Sequence, residues 1–542
     1  MTTRIDARAR DNFARDNLPP HEQWPDLLLE GLHYPDQLNC VTALLEQQIL
    51  AGNGARPCLR SPIEAWTYAD LHARVNRIAN VLTRQLGMIP GNRVLLRAPN
   101  TPMMVAAYLA VIKAGGIAVA TMPLLRAGEL QTIIDKARLA LALCDHRLLA
   151  DLRTAQQSCA DLRTVAMGGK EPDDLLTMMT SEADNFSACP TRADDVCLIA
   201  FTSGTTGEPK GTMHFHRDML ATCDTYGAQV LRARPDDIFI GSPPIAFTFG
   251  LGAAVLFPLR VGASSILLEQ ASPEQLLEAI RSMRPTICFT APTAYRAILG
   301  RMQPGDVGSL RICVSAGEPL AKPTWDAWHA ATGISIMDGI GATEMLHIFI
   351  GASVDQIRPG ATGIPVPGYE AKLIDEDGND LPRGSTGRLA VRGPTGCRYL
   401  ADARQTQYVI NGWNVTGDTY HQDADGYFWF QARSDDMILS SGYNISGPEV
   451  EAALLTHPAI AECGVVAAPD AARGMIVKAY VVLRDPDTAG SELVQALQDH
   501  VKAAIAPYKY PRAIEFVPSL PRGGTGKLQR FVLRQQAAGV QV

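Results

Sequence analysis

The chain has 542 residues, with 49 lysines and arginines against 56 aspartates and glutamates, a formal net charge of −7, and 46% hydrophobic and 19% charged residues. That length can bury several cores and implies more than one domain, and the apolar and charged fractions are those of a soluble globular protein. So mild a charge gives no footprint for nucleic acid or an anionic membrane, which leaves small-molecule chemistry.

At the amino terminus Arg4, Asp6, Arg8, Arg10 and Asp11 exclude an apolar h-region, so no secretory signal is expected. The 11 cysteines run from Cys40 to Cys463 without a Cys-x-x-Cys pair or nearby histidine ligand spacing. Reduced thiols in a cytoplasmic protein are expected, and neither a disulfide frame nor a zinc site. Residues 103–125 are almost wholly apolar apart from Lys113. A charge near the middle of a membrane span costs about 2.5–3.5 kcal/mol. Gly115-Gly116 ends a helix, so the expectation is a buried helix followed by a strand from Ile117 to Met122.

Short apolar runs recur at Val94 to Leu96, Val196 to Phe201, Ser265 to Leu268, Thr286 to Phe289 and Arg311 to Val314. Helix-length segments separate many of them, among them Ser272 to Arg281, where Ser272 can cap and Pro273 occupies the first turn. This alternation predicts an α/β fold of layered, largely parallel sheets with helices. From Glu370 the texture changes to close-set strands around Lys372 to Ile374, Arg388 to Val391 and Tyr427 to Phe430, with Asp377-Gly378, Arg383-Gly384 and Asp425-Gly426 between them. Hairpins or a small β-barrel over about 365–432 would produce that pattern. Beyond Arg433 come a strand Met437 to Leu439, a helix Pro448 to Thr456 with Ser446 and Glu449 at capping-box spacing, strands around Val465 and Val481, and a helix Glu492 to Ile505. About a hundred residues suffice for a separate small α+β domain.

The segment Thr202-Ser203-Gly204-Thr205-Thr206-Gly207-Glu208-Pro209-Lys210-Gly211 follows the apolar run at Val196. Glycines let N–H groups close on an anion, hydroxyls donate to phosphate oxygens and Lys210 brings a mobile charge, so the stretch is suited to a polyphosphate. It is no Walker A loop, because Pro209 separates Glu208 from Lys210 where that motif requires Gly-Lys-Ser/Thr.

This stretch resembles the signature of the adenylate-forming superfamily of acyl-CoA synthetases, peptide-synthetase adenylation domains and luciferases. The resemblance continues in order through Gly339-Ile340-Gly341-Ala342-Thr343-Glu344, Gly387 to Gly393, Thr416-Gly417-Asp418, Arg433-Ser434-Asp435-Asp436 and Pro521-Arg522-Gly523-Gly524-Thr525-Gly526-Lys527. Asn17 to Pro25 and Glu344-Met345-Leu346-His347-Ile348-Phe349 are similar to benzoate and 2-aminobenzoate CoA ligases. The resemblance implies a large domain over 1–432, a hinge at 433–435 and a small mobile domain over 436–542, with ATP, Mg²⁺ and coenzyme A as reaction partners.

Carried onto this chain residue by residue, the resemblance makes Lys527, Glu344, Thr343 and Lys210 the catalytic set. Lys527 would bridge the substrate carboxylate and the α-phosphate, and Glu344 would hold Mg²⁺, which prefers hard oxygen ligands. Thr202, Ser203, Gly204, Thr205, Thr206, Gly207 and Lys210 would surround the phosphates. Gly317, Glu318 and Pro319 would form one adenine wall, and Asp338, Gly339, Ile340, Gly341, Ala342 and Thr343 the other, the second as a loop after a strand Ile334 to Met337. Many relatives stack an aromatic ring on the purine at the position of Ile340, where this chain has an aliphatic one. Asp418 would accept the ribose hydroxyls and Arg433 would contact the same sugar. Asp435 matches the hinge residue, and Ser441, Gly442 and Tyr443 would line the pantetheine channel.

Residues 243–252 alternate aromatic side chains with glycine and prolines, a composition that makes a flat, dry slot. By resemblance the acyl pocket comprises Thr248, Phe249, Gly250, Ala316, Gly317, Gly341 and His347, with 2-aminobenzoate or benzoate as the acid. No residue of the sequence identifies what accepts a hydrogen bond from the amine. A stand-alone adenylation enzyme loading a carrier protein and a catalytically silent ATP-binding protein remain as alternatives, and so do monomer and homodimer.

Overall fold

Parallel strands need long crossover connections, and the helix-length segments between the apolar runs supply them. A computed structural model describes residues 10–159, 161–169, 171–202, 209–433, 436–440, 443–470, 474–505, 507–523 and 527–539. A six-stranded sheet runs in the order Arg163–Met167, Leu141–Asp145, Arg93–Arg97, Ile117–Thr121, Val196–Thr202 (β1) and Lys210–Phe215 (β2). It is parallel up to β1, and β2 returns antiparallel with Thr202 opposite Lys210. The segment expected to cradle phosphate is therefore the connection of a β-hairpin. Ser203, Gly204, Thr205, Thr206 and Gly207 lie outside the described residues.

A nine-stranded sheet carries Ile312–Ala316 (β3), Ile336–Gly341 (β4) and Ile348–Gly351 (β5). β3 and β4 are parallel neighbours, and β5 returns antiparallel on β4. The strand expected at Ile334 to Met337 thus begins later and runs on through Gly341. The glycines belong to the strand because β5 fills the space their side chains would take. A Cβ at Gly339 would stand 2.9 Å from the Ile348 side chain, and one at Gly341 2.8 Å from the His347 carbonyl.

The strand-dense region after Glu370 forms a five-stranded antiparallel sheet, in which Trp413–Gln422 (β6) pairs with Phe428–Arg433 (β7). The turn glycines Gly378, Gly384 and Gly426 all have φ near +90°, at 89°, 88° and 92°. Beyond β7, an antiparallel pair Ile460–Asp470 and Gly474–Leu483 joins Ala513–Phe516, with helices Gly447–Leu454, Ser491–Ala504 and Arg530–Ala537. Its core clusters draw only on residues from Ile438 onward. Ser446 caps the first helix by accepting the Glu449 N–H, while the Glu449 carboxylate takes Lys509 instead of closing a capping box.

Helix Pro102–Lys113 is buried around its whole circumference, as the apolar run at 103–125 led us to expect, and among the described residues no helix is long and apolar enough to cross a membrane. Lys113 Nζ is fully buried, 2.5 Å from both Asn76 Oδ1 and Glu46 Oε1. A buried ammonium is tolerated only while its counter-charge stays. Glu46→Ala should therefore lower unfolding stability by about 3–5 kcal/mol, whereas Glu46→Leu combined with Lys113→Met should be close to neutral. Denaturant titration of the three proteins checks this, and equal losses in the single and double variants would reject it.

Candidate active site

The carboxyl ends of β3 and β4 lie side by side, with Ser315 opposite Asp338 and Ala316 opposite Gly339. Crevices at such strand ends are where open α/β sheets bind ligands. After Ala316 the chain turns through Gly317 at φ +88°, carrying Glu318 and Pro319. Burial pushes the Asp338 carboxyl well above its ordinary range, against the opposing pull of hydrogen bonds from Gly339, Ser315 and Leu320. Ile340 sits within β4 opposite Ile350, followed by Ala342 and the short turn Thr343–Met345.

Glu344 is nearly buried, and its Oε1 accepts the Tyr399 hydroxyl at 2.5 Å. On the other side of that hydroxyl, Lys210 Nζ stands 3.4 Å away, 5.1 Å from the ring centre. Burial and then the Glu344 charge push the phenol pKa far up, so Tyr399 keeps its proton. The Thr343 carbonyl accepts His214 Nε2–H at 2.8 Å. His214 lies beside Asp218, which pairs with Arg398, and all three side chains are fully shielded from solvent. Burial opposes the Asp218 charge, but Arg398 and His214 outweigh it and hold the carboxyl below its ordinary range.

The sequence reading missed Tyr399, Arg398, His214 and Asp218. The signal available for the last two was a histidine and an aspartate four residues apart at a strand-to-helix junction. For Tyr399 there was none, because it reaches Lys210 across 189 residues of chain.

From the carboxy-terminal unit, Gly523 N–H bonds the Lys527 carbonyl at 2.9 Å and Arg522 bridges antiparallel to Leu528, which fixes the backbone at the lysine. Lys527 Cε and Nζ lie 3.3 and 3.8 Å from where a Cβ on Gly317 would be. A side chain at Gly317 would thus meet the lysine arm. Arg522 also reaches Glu318 at 3.5 Å and Glu462 at 2.7 Å, linking the two units beside this contact. Asp418 on β6 faces Arg433 on β7 across the ladder. The hinge residue Asp435 and the channel residues Ser441 and Gly442 lie outside the described residues, while the backbone of Tyr443 pairs with Ser440.

Thr248, Phe249 and Gly250 open a short helix, and a Cβ on Gly250 would fall 2.1 Å from the Pro244 carbonyl. His347 is buried among the rings of Phe257, Tyr226 and Phe249 at 4.6, 5.4 and 5.7 Å. Neither ring nitrogen makes a hydrogen bond of good geometry among the described residues, and burial, only partly offset by a backbone contact with Phe249, lowers its pKa to about 3, so the imidazole is neutral.

Two features bear on metals. Glu344 Oε2 has no partner among the described residues, and with the neighbouring Thr343 hydroxyl it offers the hard oxygens that suit Mg²⁺ completed by phosphates and water. Against the expectation from cysteine spacing, the fold gathers Cys40, Cys197 and His216 with ligand atoms within 4.8 Å of one another. His216 Nδ1 there accepts the Cys40 N–H at 3.2 Å, which engages its lone pair in core packing.

Residues 45–399 match the family model of AMP-binding enzymes, and residues 449–527 that of the AMP-binding enzyme C-terminal domain. A benzoate–CoA ligase of Thauera aromatica is 36% identical over 511 residues, 93% of this chain and 97% of the relative. The crystal structure of the anthranilate CoA ligase AuaEII in complex with anthranoyl-AMP is similar at TM-score 0.89 and 35% identity, covering 93% of this chain and 98% of that one. A benzoate CoA ligase structure from Burkholderia xenovorans LB400 follows at TM-score 0.84 and 31% identity, covering 92% and 100%.

His347 also sets a pH signature. Folded, it resists protonation down to about pH 3, whereas the imidazole of an unfolded chain titrates near 6.5, so between those values the unfolded state binds the extra proton. Its contribution to stability is full above pH 6.5 and is lost as pH falls toward 3. The stability difference between the parent and His347→Asn should therefore shrink below pH 6.5 at up to about 1.4 kcal/mol per pH unit. Denaturant unfolding of both at several pH values is the check, and a pH-independent difference would count against a neutral buried His347.

Proposed function

The chain belongs to the adenylate-forming AMP-binding enzymes, and from that premise we propose that it joins 2-aminobenzoate to coenzyme A through an enzyme-bound adenylate. It is an AMP-forming acid–thiol ligase that takes ATP, coenzyme A and an aromatic acid. In the first step a carboxylate oxygen attacks the α-phosphorus of ATP, and pyrophosphate leaves. In the second the thiol of coenzyme A attacks the acyl carbon, and AMP leaves.

Both reactants of the first step are anions, so the site must offset charge and align them. The observation that carries the reading is Lys527 resting against Gly317, at the strand ends that also carry Asp338 and the Thr343–Glu344 turn. In that position its ammonium can meet carboxylate and α-phosphate together. Lys210 takes the outer phosphates, Asp418 and Arg433 take the ribose, and Thr343 and Glu344 hold Mg²⁺, which supplies charge neutralisation on the triphosphate. For the acid, the aromatic side chains packed about His347 make apolar surroundings that suit a flat ring better than a flexible chain. A neutral imidazole with an unbonded nitrogen lone pair can accept a hydrogen bond from an ortho-amine, and this together with the likeness to the anthranilate ligase supports 2-aminobenzoate over benzoate.

Acid-dependent pyrophosphate release with 2-aminobenzoate, benzoate, 2-hydroxybenzoate and a medium-chain fatty acid tests the assignment. The 2-amino acid should give the highest kcat/KM and the fatty acid the lowest, and a preference for the fatty acid would overturn the aryl pocket. Lys527→Ala should slow adenylate formation by about 10²–10³ while conversion of supplied acyl-AMP to thioester survives. Equal damage to the two steps would remove Lys527 from the first.

A further inference from the structure

Tyr399 belongs to no residue set expected from the sequence, yet its hydroxyl stands between Lys210 and Glu344, 3.4 Å from the ammonium and 2.5 Å from the carboxylate. A lysine and a glutamate that face the same ligand attract each other. In a shielded site, direct pairing would satisfy both before a nucleotide arrived. An interposed phenol prevents this. The ammonium can donate to the phenol oxygen while the phenol proton goes to Glu344 Oε1, which leaves Oε2 open.

The ring is held from several sides. Residues on either side of Tyr399 bond to β2, with Met213 N–H to the Arg398 carbonyl and Leu400 N–H to the Gly211 carbonyl, both at 2.8 Å. Lys210, the first residue of β2, and Tyr399 therefore hang from one ladder. The Tyr399 N–H donates to Gln405 Oε1 at 2.9 Å, and Tyr408 packs edge-on at 5.8 Å. Gln405 in turn bonds the Gln23 carbonyl at 2.8 Å, so the amino-terminal arm braces the same tyrosine. The far end of β2 holds the other side of the Glu344 turn through His214 and the Thr343 carbonyl.

The geometry points to Tyr399 as a positioning residue that keeps Lys210 and Glu344 from pairing and aims both at a magnesium-bound nucleoside triphosphate. It rests on the adenylation reading of this site and goes beyond it by assigning a role to a side chain that touches neither reacting atom.

Tyr399→Phe removes one hydroxyl and keeps the ring. Calorimetric titration of the whole protein with Mg²⁺ and a non-hydrolysable ATP analogue should show affinity weakened by about 10- to 100-fold, the range for losing a hydrogen bond to a charged group. KM for Mg²⁺-ATP should rise while KM for the aromatic acid stays level. Thioester formation from synthetic aroyl-AMP and coenzyme A, which needs no triphosphate, should stay within about twofold of the parent. Unchanged affinity for the analogue, a loss shared equally by both half-reactions, or a variant that fails to fold would overturn the proposal. A parent enzyme that binds the analogue but releases no pyrophosphate with any acid would overturn the adenylation reading instead, and the titration would still decide the role of Tyr399.

Discussion

The antiparallel pairing of residues 211–213 with 398–400 is the constraint on which the site depends. Backbone hydrogen bonds set register to within one residue, and a slip of one would turn every side chain to the opposite face. With this register, Lys210, His214, Arg398 and Tyr399 converge from two distant parts of the chain on the Thr343–Glu344 turn. The register is itself braced by the amino-terminal arm. Trp24 packs tilted against Phe215 at 5.6 Å, Arg398 sits over the Phe215 ring at 3.9 Å, and Pro25 takes the space that a Cβ on Gly396 would need, 2.4 Å away.

A second constraint comes from the carboxy-terminal unit. Among the described residues its core clusters are its own, and its bridge to the turn after Ala316, Arg522 to Glu318 at 3.5 Å, is a part-exposed pair. Pairs of this kind contribute about 0–1 kcal/mol, so such a contact can be exchanged for another within one catalytic cycle. The glycine at the contact is set by backbone, because Gly317 has a φ of +88°, and a side chain there would also crowd the Lys527 arm, with its Cβ 3.3 Å from Lys527 Cε.

Much of the fold was legible because local physics determined it. The helix after Ser272 begins with the capping box that Ser272 forms with Gln275, and the apolar run with Lys113 is a buried helix followed by a strand at Ile117–Thr121. The turns at Gly378, Gly384 and Gly426 needed left-handed backbone. The strand through Gly339 and Gly341 was misplaced because glycine argues for a loop when only chain neighbours are considered. What makes it a strand is β5, whose Ile348, with the backbone of the preceding His347, occupies the space the glycines leave. The buried Cys40–Cys197–His216 group escaped notice for the same reason, since its members approach one another only through packing.

By itself the sequence determined the layered α/β class and the family resemblance, and it set out the hydroxyls, glycines and lysine of the Thr202–Gly211 segment, because strand patterning, glycine freedom and side-chain chemistry are properties of short stretches. Only the tertiary structure decided which groups meet. It set Tyr399 between Lys210 and Glu344, placed Arg398 against Asp218, laid Lys527 on Gly317 and left His347 neutral among three aromatic rings. Each of these depends on burial and on pairing between residues far apart in the chain, and neither quantity is written in any local pattern.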